Sequence, residues 1–250
     1  MAPHLTLFLG TGTEIGKTYC AVRFAQRLSQ ILRRVGACKP VQSGCQPVGN
    51  ILSHITAERN SDAALLWDAV ASSWPAPAGD NPAATAELKA RVCGQSFAAA
   101  ISPPMAAVAE QRSVDWEQIL NDLQWWVQRS RHTIVEGAGG LFSPISCDHL
   151  NIDLAIAVQR MKTVRARIML VAPDRLGVQH DVLSSVVAAR QKDVFIDRVI
   201  LNRRPNQEDP SVADNQSQIA LWLDKLQLGS TTVQTLDDLL HDPSAIPTGT

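Results

Sequence analysis

Residues 10–18 read Gly-Thr-Gly-Thr-Glu-Ile-Gly-Lys-Thr, after the apolar run 5–9 and before a long helical pattern. A strand, a glycine-rich loop and a helix start in that order make a phosphate cradle, because loop N–H groups converge on a polyphosphate and the helix N-terminus adds partial positive charge. Lys17 can then reach the β and γ oxygens, and the Thr18 hydroxyl can hold Mg²⁺. Five residues separate Gly10 from Gly16, one more than in the common spacing, and Thr11 takes the usual first glycine position. A bare Gly-Lys-Thr is also compatible with a simple turn. The flanking strand and amphipathic helix favour a nucleotide, so the loop predicts a nucleoside triphosphate site. Glu14 puts an anion inside this loop. Its charge opposes phosphate, so it is expected to face a cationic or amine-bearing substrate.

Lys39-Pro40-Val41-Gln42-Ser43-Gly44 places a lysine and a serine at the end of a second strand, the edge at which open parallel sheets bind ligands. Pro40 and Gly44 bracket a stiff, tight turn. Arg59-Asn60-Ser61-Asp62 precedes a helical pattern, and Ile134-Val135-Glu136-Gly137-Ala138-Gly139-Gly140 ends a strand on a carboxylate followed by small residues. Asp62 also suits the first turn of a helix on electrostatic grounds alone, whereas a buried-strand Glu at glycine-rich backbone has few structural uses. Mg²⁺ takes hard oxygens and keeps waters, so Thr18, Asp62 and Glu136 beside phosphates form a sufficient set.

The elements that must position these residues follow from apolar patterning. Strand-like runs at 5–9, 36–41, 133–135, 167–172 and 198–201 alternate with helical patterns at 17–35, 61–71, 114–130, 151–162, 180–192 and 211–226. Such alternation predicts an α/β fold, with a mainly parallel central sheet flanked by helices as a three-layer sandwich. Trp116, Trp125 and Trp126 are expected to pack helix on sheet. Residues 72–104 are rich in Ala, Pro, Gly and Asn and predict an irregular excursion, with a short helix at 87–93. Residues 1–240 are expected to form a single domain and 241–250 a frayed tail.

Net charge of −1 over 250 residues argues against electrostatic capture of nucleic acid. The five cysteines, Cys20, Cys38, Cys45, Cys93 and Cys147, are odd in number and form no C-x-x-C pair, so neither a disulfide framework nor a zinc site is indicated. No targeting segment and no run of eighteen apolar residues is present. A cytoplasmic protein without membrane or nucleic-acid partners is expected.

The motifs at 10–18, 39–44, 59–62 and 135–140, in this order and spacing over residues 5–202, resemble those of the dethiobiotin synthetase family. The resemblance implies a homodimeric P-loop enzyme that closes a ureido ring from 7,8-diaminopelargonic acid, CO₂ and ATP. It implies Lys39 and Lys17 as catalytic cations. Glu14, Ile15, Gly16, Lys17, Thr18, Asp62, Glu136, Gly137, Ala138, Gly139 and Asn202 would bind ATP, Asn202 by reading adenine. Thr18, Asp62 and Glu136 would hold Mg²⁺. Thr13, Glu14 and Ser43 would face the substrate, with backbone N–H groups of Gly137 to Gly140 helping to surround it. Gly177, Val178 and Gln179, beside His180 at a helix start, would receive the substrate's distant carboxylate across the dimer interface.

The chain departs from that pattern at Gly12, where the family commonly has Asp, at Gln179, where Asn is expected, and at Arg203, which follows Asn202 in place of Asp. The segment Gly229-Ser230-Thr231-Thr232 also lacks the family's proline. Two other functions suit a P-loop chain: a partitioning ATPase that switches on DNA or membranes, and a divergent paralogue related to corrinoid amide synthesis. The first needs an extra lysine early in the loop, where Gly12 stands, and the second a glutaminase half that is not evident.

Overall fold

β-Branched and leucine-rich runs bounded by loops give six strands that pair in one sheet: β1 His4–Gly10, β2 Val35–Cys38, β5 His132–Glu136, β6 Arg165–Pro173, β7 Arg198–Asn202 and β8 Thr232–Thr235. Their order is β2-β5-β1-β6-β7-β8 and every pairing is parallel. Two short strands, β3 Val41–Gln42 and β4 Gln95–Ser96, form a separate parallel ladder. The computed structural model describes residues 2–45, 61–75, 82–203, 209–210 and 212–246. Arg59, Asn60, residues 76–81 of the expected excursion and 247–250 of the expected tail lie outside the described residues.

The helices are α1 Lys17–Ser29, α2 Asp62–Val70, α3 Pro82–Ala90, α4 Pro103–Ala109, α5 Trp116–Arg129, α6 Asn151–Arg160, α7 Val178–Arg190, α8 Val212–Lys225 and α9 Leu236–His241. They flank the sheet as the α/β pattern predicts, α1 and α5 against β2 and β5, α6 against β1 and β6. Central strands carry apolar stretches buried on both faces: Leu5, Leu7, Phe8, Leu9, Ile134, Val135 and Ile168 to Ala172 are all fully buried. That is the signature of a sheet covered on both faces. In α5, Ile119, Leu123, Trp126 and Val127 repeat at helical spacing and are buried, so Trp126 packs as expected, with its Nε1 donating to Arg91 O at 2.9 Å. No described helix is long and apolar enough to cross a membrane.

Several expected boundaries move. The strand at 36–41 stops at Cys38, because Pro40 has no N–H for a ladder, and β3 resumes in the other sheet. The helix from Lys17 ends at Ser29 instead of 35, and Arg34, at φ 59°, turns the chain into β2. The 72–104 segment is largely ordered among its described residues: the helix expected at 87–93 lies at Pro82–Ala90, and β4 follows it. Pro82, Pro103 and Pro104 start helices, at the first-turn positions where their missing N–H costs nothing. Of the expected tail, residues 242–246 make contacts with the domain. Ala245 and Ile246 are buried, Asp242 pairs with Arg198 at 2.7 Å, and Ser244 O accepts from Arg167 at 2.6 Å.

Candidate active site

Strand register alone brings the charged residues together. Cys38 lies opposite Val135, so Lys39 and Glu136 are the next residues up on adjacent strands, and Glu136 is also level with Phe8 of β1. The loop that leaves β1 at Gly10 therefore rises directly beside them. Thr11 N donates to Val171 O at 3.0 Å and Leu141 N to Gly10 O at 2.7 Å, which fixes the loop between the tops of β6 and β5.

Lys39 is 4% exposed and Glu136 1%. Lys39 Nζ donates to Glu136 Oε1 at 2.6 Å and lies 2.7 Å from Asp62 Oδ2, while Thr18 Oγ1 donates to the same Glu136 oxygen at 2.9 Å. Burial alone would depress the Lys39 pKa, but the Glu136 and Asp62 carboxylates outweigh it and hold Lys39 firmly protonated. Burial, reinforced by the Asp62 charge, pushes Glu136 above the ordinary carboxylate range against the pull of Lys39. Asp62 goes the other way: despite burial, Lys39 draws its pKa down. Lys17 Nζ donates to Gly12 O at 2.8 Å, and burial, helped by the nearby Lys39 charge, lowers its pKa to about 8.

Local structure explains how Asp62 arrives. Ser61 caps α2, its Oγ accepting from Ala64 N at 3.2 Å, and Gln42 Oε1 accepts from Ala63 N at 3.1 Å, tying the helix start to β3. Gln42 is buried, a positioning role that its place inside the 39–44 motif did not announce.

A cleft of about 810 Å³ opens over this cluster, lined by Thr13, Glu14, Gly16, Lys17, Thr18, Lys39, Ser43, Asp62, Glu136, Ala138 and Gly139, with Ala100 to Pro103, Ser143 and Pro144 on the far wall. Glu14 stands at φ 56°, a left-handed conformation uncommon for a side-chain-bearing residue. Ile15 is buried behind the loop, and Gly137 lies beneath it against Leu9 and Asn151.

Three sets of expected site residues make contacts within the chain itself. The N–H groups of Gly137, Ala138 and Gly140 are bonded to Phe8 O, Asn151 Oδ1 and Ser143 Oγ, while Ala138 and Gly139 line the cleft. Gly177, Val178 and Gln179 are not brought to the cleft of their own chain. Val178 is fully buried and its N–H bonds Arg175 O, so neither its side chain nor its amide is offered to a ligand. Asn202 is buried at the end of β7 and donates to Ile15 O at 2.9 Å.

Asn151 was missed altogether. It is fully buried, and its Nδ2 donates to the carbonyls of Ala138, Gly140 and Ser143 while Oδ1 accepts from Ala138 N, latching the whole 138–143 loop. A helix-start Asn reads as a cap in sequence, and nothing marks partners 8 to 13 residues upstream.

The oxygen set fits Mg²⁺. Glu136 Oε2 is buried with no hydrogen-bond partner, the condition of an acceptor kept for something the chain does not itself supply. Among the described residues no group of three or more His, Cys, Asp or Glu could hold a metal by itself. A hydroxyl, two carboxylates and the phosphates of a bound nucleotide are what Mg²⁺ requires.

Comparison with known proteins gives this arrangement a lineage. Residues 6–234 match the AAA domain family. The ATP-dependent dethiobiotin synthetase BioD of Rhodopirellula baltica is 39% identical over 85% of this chain and 78% of its own length. The chain belongs to the dethiobiotin synthetase family. A second dethiobiotin synthetase, that of Anaeromyxobacter dehalogenans strain 2CP-C, is 32% identical over 84% of this chain and 82% of its own. The ParA family ATPase of Chlorobium tepidum TLS is 15% identical with a TM-score of 0.47, covering 94% of this chain and 83% of its own; no argument rests on that likeness. Dethiobiotin synthetases are ATP-dependent ligases of biotin synthesis, and this chain carries a P-loop at residues 10–18.

Proposed function

We propose that the chain converts 7,8-diaminopelargonic acid, CO₂ and ATP into dethiobiotin, ADP and phosphate, as a cytoplasmic homodimer. One observation carries this reading: a buried, protonated lysine at the sheet edge, pinned by two carboxylates, facing the same cleft as the phosphate loop and its acidic residue Glu14.

The difficulty in the reaction is charge. One amine of the substrate takes up CO₂ and loses a proton to become a carbamate, and a carbamate oxygen then attacks the γ-phosphorus as ADP leaves. Two anions must meet in line, so positive charge must already be in place between them. Lys17 and Lys39 are its source in this chain, and neither has to reorganise out of bulk water because both are buried. The second amine attacks the carbonyl carbon of the carbamic–phosphoric anhydride, the C–O bond breaks, phosphate departs and the ring closes. Glu14 and Thr13 would hold the diamine, and Ser43 its reacting end. Thr18, Asp62 and Glu136 would hold Mg²⁺, which when bound neutralises charge on the nucleotide's terminal oxygens. Gly177 and Gln179 would serve the partner's site.

The purified protein, given the diamine, bicarbonate and Mg·ATP, is expected to release phosphate and dethiobiotin in equal amounts, measured by phosphate assay and mass spectrometry. Phosphate release that ignores the diamine would overturn the reading.

A further inference from the structure

The first turn of α2 is held by two acceptors of different origin. Ser61 Oγ takes the Ala64 N–H from the helix's own start, while the Ala63 N–H goes to Gln42 Oε1 at 3.1 Å, 21 positions earlier in the chain. Both are amides that a helix N-terminus leaves without an intrahelical partner. Asp62, the residue just before Ala63, brings its Oδ2 to 2.7 Å from Lys39 Nζ. The turn that runs from Lys39 to Gln42 therefore grips the helix start twice, by charge at Asp62 and by a hydrogen bond at Ala63. Gln42 is itself fixed: it is buried, stands opposite Ser96 in the β3–β4 ladder, and its main-chain carbonyl accepts from Phe97 N at 2.9 Å.

We infer that Gln42 is a positioning residue that fixes α2 along its axis, and so places the Asp62 carboxylate for Mg²⁺ as well as for Lys39. The other contacts of α2 are ill suited to that task. The residues it buries, among them Leu66, Trp67 and Val70, are hydrophobic, and the helix packs on α1 and β2. Apolar burial is non-directional, so it holds a helix onto a surface more firmly than it holds it against sliding. A slide by one residue moves the helix about 1.5 Å along its axis and turns it by about 100°, which carries Asp62 away from its place in the cleft. Lys39 does not set the register alone either, because its ammonium rides on a flexible four-carbon stem. A bond from a fixed acceptor to one particular amide is directional, and Gln42 supplies it.

The inference rests on the assignment of Asp62 to the metal in the proposed reaction, and the test separates the two. Mn²⁺ is titrated by electron paramagnetic resonance into wild type, Gln42→Met, Gln42→Glu and Asp62→Asn, each with the non-hydrolysable analogue AMP-PNP. AMP-PNP affinity is measured separately without metal. Methionine keeps the length of the side chain and loses the acceptor, whereas glutamate restores it on an anion that a helix N-terminus favours. Gln42→Met is expected to weaken Mn²⁺ about fivefold, the worth of one hydrogen bond, with metal-free AMP-PNP affinity unchanged and Gln42→Glu within about twofold of wild type. Gln42→Asn, whose amide is drawn back by one methylene, carries the same expectation if the methionine variant does not fold. Wild-type Mn²⁺ affinity in Gln42→Met, beside a loss in Asp62→Asn, overturns the inference and leaves the metal assignment standing. Equal losses in the methionine and glutamate variants also overturn it, by tracing the effect to packing instead of the acceptor. No loss in Asp62→Asn removes Asp62 from the metal, and then both fall together.

Discussion

Replacing Lys39 by alanine removes a cation that answers two carboxylates, and the consequences for stability and for catalysis can be separated. Glu136 is 1% exposed, so its charge would be left uncompensated in the interior, a situation that costs about 3–5 kcal/mol when one member of a buried pair is deleted. Asp62 is 37% exposed at its side chain and adds little, because solvent screens it. The penalty has a definite pH dependence. In the variant, Glu136 keeps the burial and the Asp62 charge that raise its pKa and loses the lysine that lowers it. A carboxyl whose folded pKa lies above its unfolded one stabilises at low pH and loses that contribution as pH rises through the folded value. Urea unfolding of the variant relative to wild type should therefore show a smaller deficit at pH 5.5 than at pH 8. Adding Glu136→Gln should recover most of the lost stability, since the orphaned charge goes with it. Turnover should not recover. Removal of a fixed cation from a transferring group typically costs about 10²–10³ in rate, and the double variant keeps that loss while ATP affinity, carried by the loop, stays within a few-fold. Equal stability deficits at both pH values would refute the buried-charge argument, and an unchanged turnover number would remove Lys39 from phosphoryl transfer.

Glu136→Gln alone should raise the Mg²⁺ concentration for half-maximal activity by at least the roughly tenfold that loss of an outer-shell partner costs; superimposable metal titrations would dismiss it as a ligand. Asn151→Ala strips partners from the carbonyls of Ala138, Gly140 and Ser143, and should destabilise by about 3 kcal/mol while raising the KM for the diamine more than that for ATP; a proportionate rise in both would assign the latch to the whole cleft. His132 is fully buried beside His4, and burial depresses its pKa to about 3. An unfolded histidine protonates below about 6.5 and the folded one refuses the proton, so stability is lost as pH falls, by about 2 kcal/mol between pH 7 and pH 5. Urea midpoints should drop over that interval, and His132→Asn should flatten the drop; equal slopes in both proteins would clear His132 of responsibility.

The parts of this site readable from sequence are those whose chemistry is local. Residues 10–18 carry their own argument, Lys39 stands out by its place at the carboxyl end of a strand before the Pro40–Gly44 turn, and Glu136 because a carboxylate ending a buried strand has few structural uses. Asp62 was ambiguous on its face and proves to do both jobs, opening α2 and contacting Lys39. What escaped depends on distant partners. Asn151 reads as a helix start, and the contact of Asn202 with Ile15 O spans 187 positions that no local pattern joins. β8 is Thr-Val-Gln-Thr, too polar to announce itself, and only Val233 and Gln234 are buried in it. Prolines at 103 and 104 suggested a break and instead open α4. The ties of Ser244 to Arg167 and Arg198 come from strands more than forty residues earlier, so no local pattern marks them.

The hydrogen bonds at the heart of the cleft join residues 118 and 97 positions apart, Thr18 and Lys39 each to Glu136. No early hairpin or single helix can contain them, and closing such long spans taxes the chain before any contact is rewarded. Catalytic competence should therefore return on refolding only with the slowest phase that zips β5 between β1 and β2. A nascent chain that has emerged no further than α5 has a phosphate loop, Lys39 and Asp62 but not the Glu136 that binds them into one site.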